Sequence, residues 1–112
     1  PAHHKIQDLQ SLVLHEKAVE RMRAEPHLID EAKATVKHWR ERGNTRSHTL
    51  FAEWEHILTE KKWSKVLGSS RQAQELRQAS PLPSLLSKEE RECILRDIGM
   101  LKKGVSIGLS QP

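Results

Sequence analysis

Apolar residues recur at intervals of three and four along most of this chain, which is the spacing of one face of an α-helix. The clearest face lies in residues 49–60 and consists of Leu50, Phe51, Trp54, Ile57 and Leu58. Similar spacing predicts helices over residues 6–24, 26–42 and 88–103. No run of alternating apolar and polar residues predicts a strand. The pattern therefore predicts an all-α fold.

Two of these faces include residues near the chain termini. The first predicted helix has the stripe Ile6, Leu9, Leu12, Val13, Val19 and Met22. The last has the face Ile94, Leu95, Ile98 and Leu101. These faces are expected to pack on the core, whereas three polar residues are expected at helix surfaces or boundaries: His15, His38 and His56.

Proline and glycine divide the helical pattern. Pro26 separates the first two predicted helices, because proline suits a helix's first turn and restricts the residue before it. Gly43 and Asn44 predict a left-handed C-cap for the second helix. A short helix over residues 62–67 is expected to end at Gly68.

Two serines are predicted to start helices through capping boxes. Ser69 with Gln72 is expected to open a helix that continues through Ala79. Ser87 with Glu90 is expected to open the last helix, each residue's side chain bonding the other's backbone amide.

Residues 76–91, with the sequence LRQASPLPSLLSKEER, form the densest block of structural signals in the chain. Pro81 and Pro83 predict that residues 80–84 are extended and stiff, because each proline disfavours the α conformation before it. The neighbouring leucines are too apolar for a solvent-exposed loop and are expected to pack against a core: Leu82, Leu85 and Leu86. We therefore predict a compact bundle of five to six helices with a proline-fixed corner before the last helix.

Length and composition favour one small domain. The chain has 112 residues, of which 36% are hydrophobic and 30% charged. We expect a single helical domain over residues 1–104 and a flexible tail over residues 105–112. No apolar run is long enough to span a bilayer and no signal peptide is recognised. A single cysteine, Cys93, fits a reducing cytoplasm.

Positive charge is concentrated in the middle of the chain. The net charge is +4, and residues 37–77 contain nine basic and five acidic side chains. Such an excess is typical of proteins that bind nucleic acid or an acidic protein, or it marks a solvated face on which both signs alternate. The candidate contacts for nucleic acid are Arg40, Arg42, Arg46, Lys65, Arg71 and Arg77.

The sequence offers little catalytic or metal-binding chemistry. Glu53 and His56 are three residues apart, as in helical ligand pairs, but no second pair accompanies them. Cys93 has no cysteine partner for a zinc site. No triad order, glycine-rich phosphate loop or nucleophile elbow is present. We expect no metal, no cofactor and no enzymatic activity.

One pair of residues keeps an enzymatic alternative open. Arg42 and His48 are separated by five residues. This spacing resembles the catalytic signature of the all-helical HEPN ribonucleases, in which the pair would serve acid–base and phosphate-stabilising roles. The resemblance implies a ribonuclease as a remote alternative.

A wider set of residues resembles a family of small uncharacterised bacterial helical proteins. The resemblance covers about residues 12–96 and is most specific in the LRQASPLPSLLS segment, where this chain has Leu82 in place of the usual aromatic residue. Its other positions are Leu14, His15, Ala18, Val19, Met22, Pro26, Leu28, Ile29, Ala32, Trp39, Trp54, Ile57, Leu58, Glu90 and Arg91. Members of that family look like small partners of nucleotidyltransferase-like toxins or other toxin–antitoxin and phage-defence proteins.

The resemblance implies a bacterial cytoplasmic protein that binds and neutralises or regulates a toxin, such as a nucleotidyltransferase-like protein from a neighbouring gene. Together with the missing catalytic chemistry, it favours a non-enzymatic interaction module, with nucleic-acid binding as the alternative. The predicted partner surface is Lys61, Lys62, Trp63, Lys65, Arg71, Leu82 and Leu85. The oligomeric state stays open.

Overall fold

The computed structural model describes residues 2–42 and 48–102, and the side chains of residues 7–42 and 48–99. Within these ranges the chain forms six α-helices and one short 3₁₀ helix, Leu82–Leu85, and no strand. The α-helices are α1 Ala2–Ala24, α2 His27–Glu41, α3 His48–Glu60, α4 Ser64–Leu67, α5 Arg71–Gln78 and α6 Lys88–Lys102. The predicted all-α bundle is confirmed.

The long helix α1 is the centre of the bundle. It contacts α2, α4, α5, α6 and the 3₁₀ helix, while α2 and α3 pack against each other as a hairpin. The largest fully buried side chains come from several of these elements and include Met22 of α1, Trp54 of α3 and Leu76 of α5. Trp54 also donates its indole Nε1–H to the carbonyl of Leu76 at 3.0 Å, so its polar edge is satisfied inside the core.

The core-facing side of α1 differs from the predicted stripe. Val19 and Met22 are buried as expected, but Leu9, Leu12 and Val13 are only half-buried. Instead, His15 and Ala18 occupy the core positions one turn apart. His38 and His56 are exposed as predicted, whereas the prediction for His15 is wrong.

The last helix α6 shows a smaller difference. Ile98 is buried and Ile94 packs against the core, as predicted. Leu95 is 41% exposed, so its place on the predicted buried face is wrong. It lies next to Ile94 along the helix, about 100° away around the axis, and that side of α6 faces solvent. The side chain of Leu101 lies outside the described residues.

The α4–α5 turn uses a different serine from the one predicted. The N-cap of α5 is Ser70, whose Oγ accepts the amide of Ala73 at 3.1 Å. The predicted box of Ser69 with Gln72 is therefore one residue out of register. The predicted cap at Gly43-Asn44 and the predicted tail over residues 105–112 lie outside the described residues.

The proline corner is helical rather than extended. Pro81 has φ −80° and ψ −10°, and the following residues form the 3₁₀ helix. The hydroxyl of Ser80 accepts the amide of Leu82 at 3.0 Å, which turns the chain into this helix despite the prolines. Burial of the leucines is confirmed: Leu82 and Leu86 are in the core and Leu85 packs against it.

The predicted capping box at the start of α6 is confirmed. Glu90 Oε1 accepts the amide of Ser87 at 2.9 Å, and Ser87 Oγ accepts the amide of Glu90 at 3.0 Å. The other carboxylate oxygen of Glu90 accepts from Arg21 of α1 at 2.9 Å. The bond from the Ser87 amide, followed by the charge of Arg21, lowers the pKa of Glu90. The cap thus also connects α6 to the central helix.

The shifted cap of α5 gives a test with an adjacent control. Ser70→Ala removes the acceptor for the Ala73 amide and should lower the free energy of unfolding by about 1 kcal/mol. Ser69→Ala should change it by less than about 0.5 kcal/mol, because Ser69 is exposed and its side chain caps nothing in the described structure. Urea denaturation compares the two variants. A larger loss for Ser69→Ala would contradict the structure's register.

Candidate functional site

The apolar part of the predicted partner surface belongs to the core. Leu82 is fully buried and Trp63 is only 6% exposed, so neither side chain forms the broad apolar surface that was predicted for a partner. Trp63 packs inward at the start of α4, where its carbonyl accepts the amides of Val66 and Leu67. Leu85 is half-buried and packs against the core. The corner is therefore a packing element, and these residues are corrected from surface to core.

Most of the candidate cations for nucleic acid already have carboxylate partners. Arg40 pairs with Glu55, Lys65 with Glu53 at 3.3 Å and Arg71 with Glu75 at 3.7 Å: three ion pairs at the surface. Such pairs contribute little to stability, but each partner offsets positive charge that phosphates would need. Arg42 is exposed, and Arg46 lies outside the described residues.

Arg77 is the clearest correction, because it is only 4% exposed. Its Nη1 donates to the carbonyls of Val66 and Gly68, both at 2.7 Å, and its Nη2 pairs with Asp8 at 3.0 Å. The guanidinium therefore satisfies backbone carbonyls at the end of α4 and joins that end to α1. It cannot reach a phosphate, so its predicted role in binding nucleic acid is wrong.

A second buried polar group, His15, was missed as a site residue by sequence reasoning. Its Nδ1 donates to the carbonyl of Ser11 at 2.7 Å, and its Nε2 accepts the hydroxyl of Ser80, also at 2.7 Å. The ring is 1% exposed and stacks on Trp54 with 6.3 Å between ring centroids. The available signal was the placement of His15, Ala18 and Met22 on one helical line.

The Ser80–His15 pair has the hydrogen bond of a nucleophile and its base, but its surroundings favour a structural role. Burial lowers the pKa of His15 to about 4, so the imidazole is a weak base at neutral pH. The Ser80 oxygen also accepts the Leu82 amide. Among the described residues, no group of three or more His, Cys, Asp or Glu side chains is placed to hold a metal ion. The pair fixes the corner against α1.

A small apolar notch lies where the α1–α2 turn meets the α3–α4 turn. Its volume is about 170 Å³, and its described lining is Met22, Arg23, Pro26, Ile29, Lys61 and Trp63. Four of these residues are apolar, two are basic and none is acidic. Arg23 and Lys61 are exposed, and within the described parts of the chain no carboxylate pairs with either. We call this feature the Arg23–Lys61 notch.

The backbone is strained at the edge of this notch. Lys61 has φ 57°, a left-handed conformation that glycine adopts more easily. It lies just after α3, where the amide of Lys62 donates to the carbonyl of Ile57 at 3.0 Å. That bond is the outer one of a Schellman cap, in which the left-handed position is usually glycine. A lysine in this conformation costs about 1 kcal/mol relative to glycine, and the cap itself could be formed by glycine.

A longer groove between α2 and α3 has mixed charge. One part, of about 430 Å³, includes Asp30, Lys33, Lys37 and Glu55; the next, of about 270 Å³, includes Lys37, Arg40, Glu41 and His48. Both signs are present in each part, so the groove has no strong preference for an anion. His48 lies here at the start of α3, but the segment joining it to Arg42 lies outside the described residues.

No family model, curated protein or solved structure matches the chain. The resemblance to toxin-associated bacterial proteins therefore stays a hypothesis. In the part of the chain that the structure describes, no helix is both long and apolar enough to cross a membrane.

The buried histidine predicts a specific pH dependence. Its pKa is about 4 in the folded protein and about 6.5 when unfolded, so the unfolded state binds the extra proton between these values. The contribution of His15 to stability is present above pH 6.5 and is lost as the pH falls towards 4. Between pH 7 and pH 5 the loss should be about 2 kcal/mol, measured by urea denaturation.

The matched variant for this experiment is His15→Asn. It should be less stable than the wild-type protein at pH 7, because the ring contact with Trp54 and the bond to Ser80 are weakened. The gap between the two proteins should narrow at pH 5, since only the wild-type protein has the buried imidazole. Parallel loss of stability in both proteins would show that other groups cause it.

The strain at Lys61 predicts that a smaller residue stabilises the fold. Lys61→Gly should raise the free energy of unfolding by about 0.5–1 kcal/mol, because relief of the left-handed conformation exceeds the added entropy of the unfolded chain. The neighbouring Lys62→Gly should lower it, since Lys62 has no positive φ. Thermal and urea denaturation of both variants measure the difference, and equal effects would exclude strain at Lys61.

Proposed function

We propose that this protein is a non-enzymatic protein-interaction module. Three polar groups that could have formed a site hold the fold instead: His15 and Ser80 join the corner to α1, and Arg77 closes the end of α4. The observation that carries the proposal is the contrast at the Arg23–Lys61 notch, where exposed cations have no carboxylate partner among the described residues. A rigid bundle with an unneutralised patch is suited to binding rather than to catalysis.

The proposed partner is a protein encoded next to this chain, and the proposed role is that of a cytoplasmic antitoxin. This part rests on the resemblance of residues 12–96 to small bacterial partners of toxin and phage-defence proteins. Such a protein would act by covering a toxin's active site or docking surface. A stable interface needs about 800 Å² from each partner, so the contact would extend well beyond the notch.

Nucleic-acid binding is less well supported by the same structure. Arg77 is buried, and Arg40, Lys65 and Arg71 each have a carboxylate within ion-pair distance. Phosphate contacts would have to compete with these pairs. A gel-shift titration at low salt separates the alternatives, because phosphate-driven binding falls steeply as salt is added.

Co-expression with the adjacent gene product tests the proposal. We expect the tagged protein to recover that product in a defined stoichiometric complex, and to relieve any growth defect that the product causes alone. Arg42→Ala and His48→Ala are the controls for the ribonuclease alternative, and both should leave rescue unchanged. If no complex forms and no rescue occurs, the antitoxin proposal fails; if either variant abolishes an RNA-cleaving activity, the enzymatic alternative replaces it.

A further inference from the structure

We propose that the Arg23–Lys61 notch binds an acidic segment of the partner protein and seats one apolar side chain of that segment. The inference rests on the proposed function and names the partner chemistry at one site. The two lining cations would contact carboxylates that flank the apolar residue.

The shape of the notch limits its occupant. Its volume of about 170 Å³ equals that of about six water molecules, which is room for one side chain rather than for a helix or a nucleotide base with its sugar. Its apolar lining comes from four residues: Met22, Pro26, Ile29 and Trp63. An aliphatic side chain would displace water that this lining cannot hydrogen-bond.

The charges around the notch favour acidic flanking residues. Arg23 and Lys61 are both exposed lining residues, and Lys62 adds a further exposed cation next in sequence. Of the acidic residues nearest in sequence, Glu25 pairs with Arg21 at 3.3 Å. Glu60 is exposed and adjacent to Lys61 in the chain, but it does not line the notch. A carboxylate from a partner would therefore meet unneutralised positive charge.

The conformation of Lys61 is an independent observation that favours a binding role. Glycine would close the α3 cap with less strain, yet the position carries a long cation that borders the notch. Residues in strained backbone conformations cluster at active sites and ligand contacts. Lys61→Gly should therefore both relieve the backbone strain and weaken binding.

A peptide titration of the whole protein, followed by ¹H–¹⁵N NMR, tests the site directly. The probe is a blocked peptide with one leucine between two pairs of glutamates. We expect saturable shifts at the Trp63 indole and at the amides of Ile29 and Lys61. Peptides with serine in place of leucine, or with lysines in place of glutamates, should bind at least tenfold more weakly. Absence of shifts at these three positions would overturn the inference.

Charge variants separate the notch from general electrostatics. Arg23→Glu with Lys61→Glu should weaken peptide binding at least tenfold, since two favourable contacts become repulsive. The matched control reverses two cations that do not line the notch, Lys33→Glu with Arg96→Glu, and should change affinity less than twofold. Equal weakening by both double variants would show that only net charge matters and would overturn the site.

Lys61→Gly gives the strictest test, because it should bind the peptide about threefold more weakly while unfolding at higher denaturant. Retained affinity in this more stable variant would remove Lys61 from the site.

The co-expressed complex distinguishes the proposed site at the notch from the proposed interaction module. If the complex still forms with the Arg23→Glu/Lys61→Glu variant and the peptide does not bind the wild-type protein, the proposed site at the notch is wrong and the proposal of an interaction module holds. If the peptide binds as expected but no complex forms, the notch does bind acidic segments and the product of the adjacent gene is not the partner.

Discussion

The packing of the proline corner against α1 depends on a hydrogen bond between residues that are 65 positions apart, the imidazole of His15 and the hydroxyl of Ser80. Burying an imidazole in the core is unfavourable unless both ring nitrogens are satisfied, and here Ser11 and Ser80 satisfy them. The same Ser80 oxygen accepts the Leu82 amide, so the bond also determines how the chain turns after α5. One interaction thereby couples the neutral state of His15 to the conformation of the proline corner.

A second polar contact lies about two turns nearer the start of α1, on the same face of the helix. Arg77 crosses from α5 to Asp8 and also binds the carbonyls at Val66 and Gly68. Because Ser80 follows α5 by two residues, the two contacts hold α5 and the corner against the same helix. Removal of Ser80 or of Asp8 would leave a buried polar atom of His15 or of Arg77 unsatisfied, which costs more than the contact contributes when formed. Ser80 and Arg77 thus supply partners for the polar side chains that α1 presents to α5 and the corner.

These long-range contacts explain which features the sequence could predict. Helix positions and the capping box of Ser87 with Glu90 depend on neighbours within four residues, and they were predicted closely. The burial of His15 and Arg77 depends on partners that the fold brings from distant segments, so a pattern of apolar spacing misses both. The helical turn at Pro81 was missed for the same reason, because local proline rules favour extended chain and the Ser80 contact overrides them. The predicted partner surface is wrong at Leu82, and Trp63 keeps only a small exposed edge, since large apolar residues near a turn suit a core as well as an interface.

The proline corner and the Arg23–Lys61 notch differ in whether packing accounts for their unusual features. At the corner, every feature that looked unusual in sequence has a structural cause: the leucines are packed and Ser80 has its partners. At Lys61 the balance is reversed, because the left-handed backbone is less favourable with a lysine than with a glycine and the exposed ammonium stabilises no described neighbour. A feature that packing explains needs no ligand to account for it. A feature that is unfavourable for packing is better explained by a binding function. In the described chain the Arg23–Lys61 notch combines the strained backbone of Lys61 with unpaired positive charge and an apolar lining.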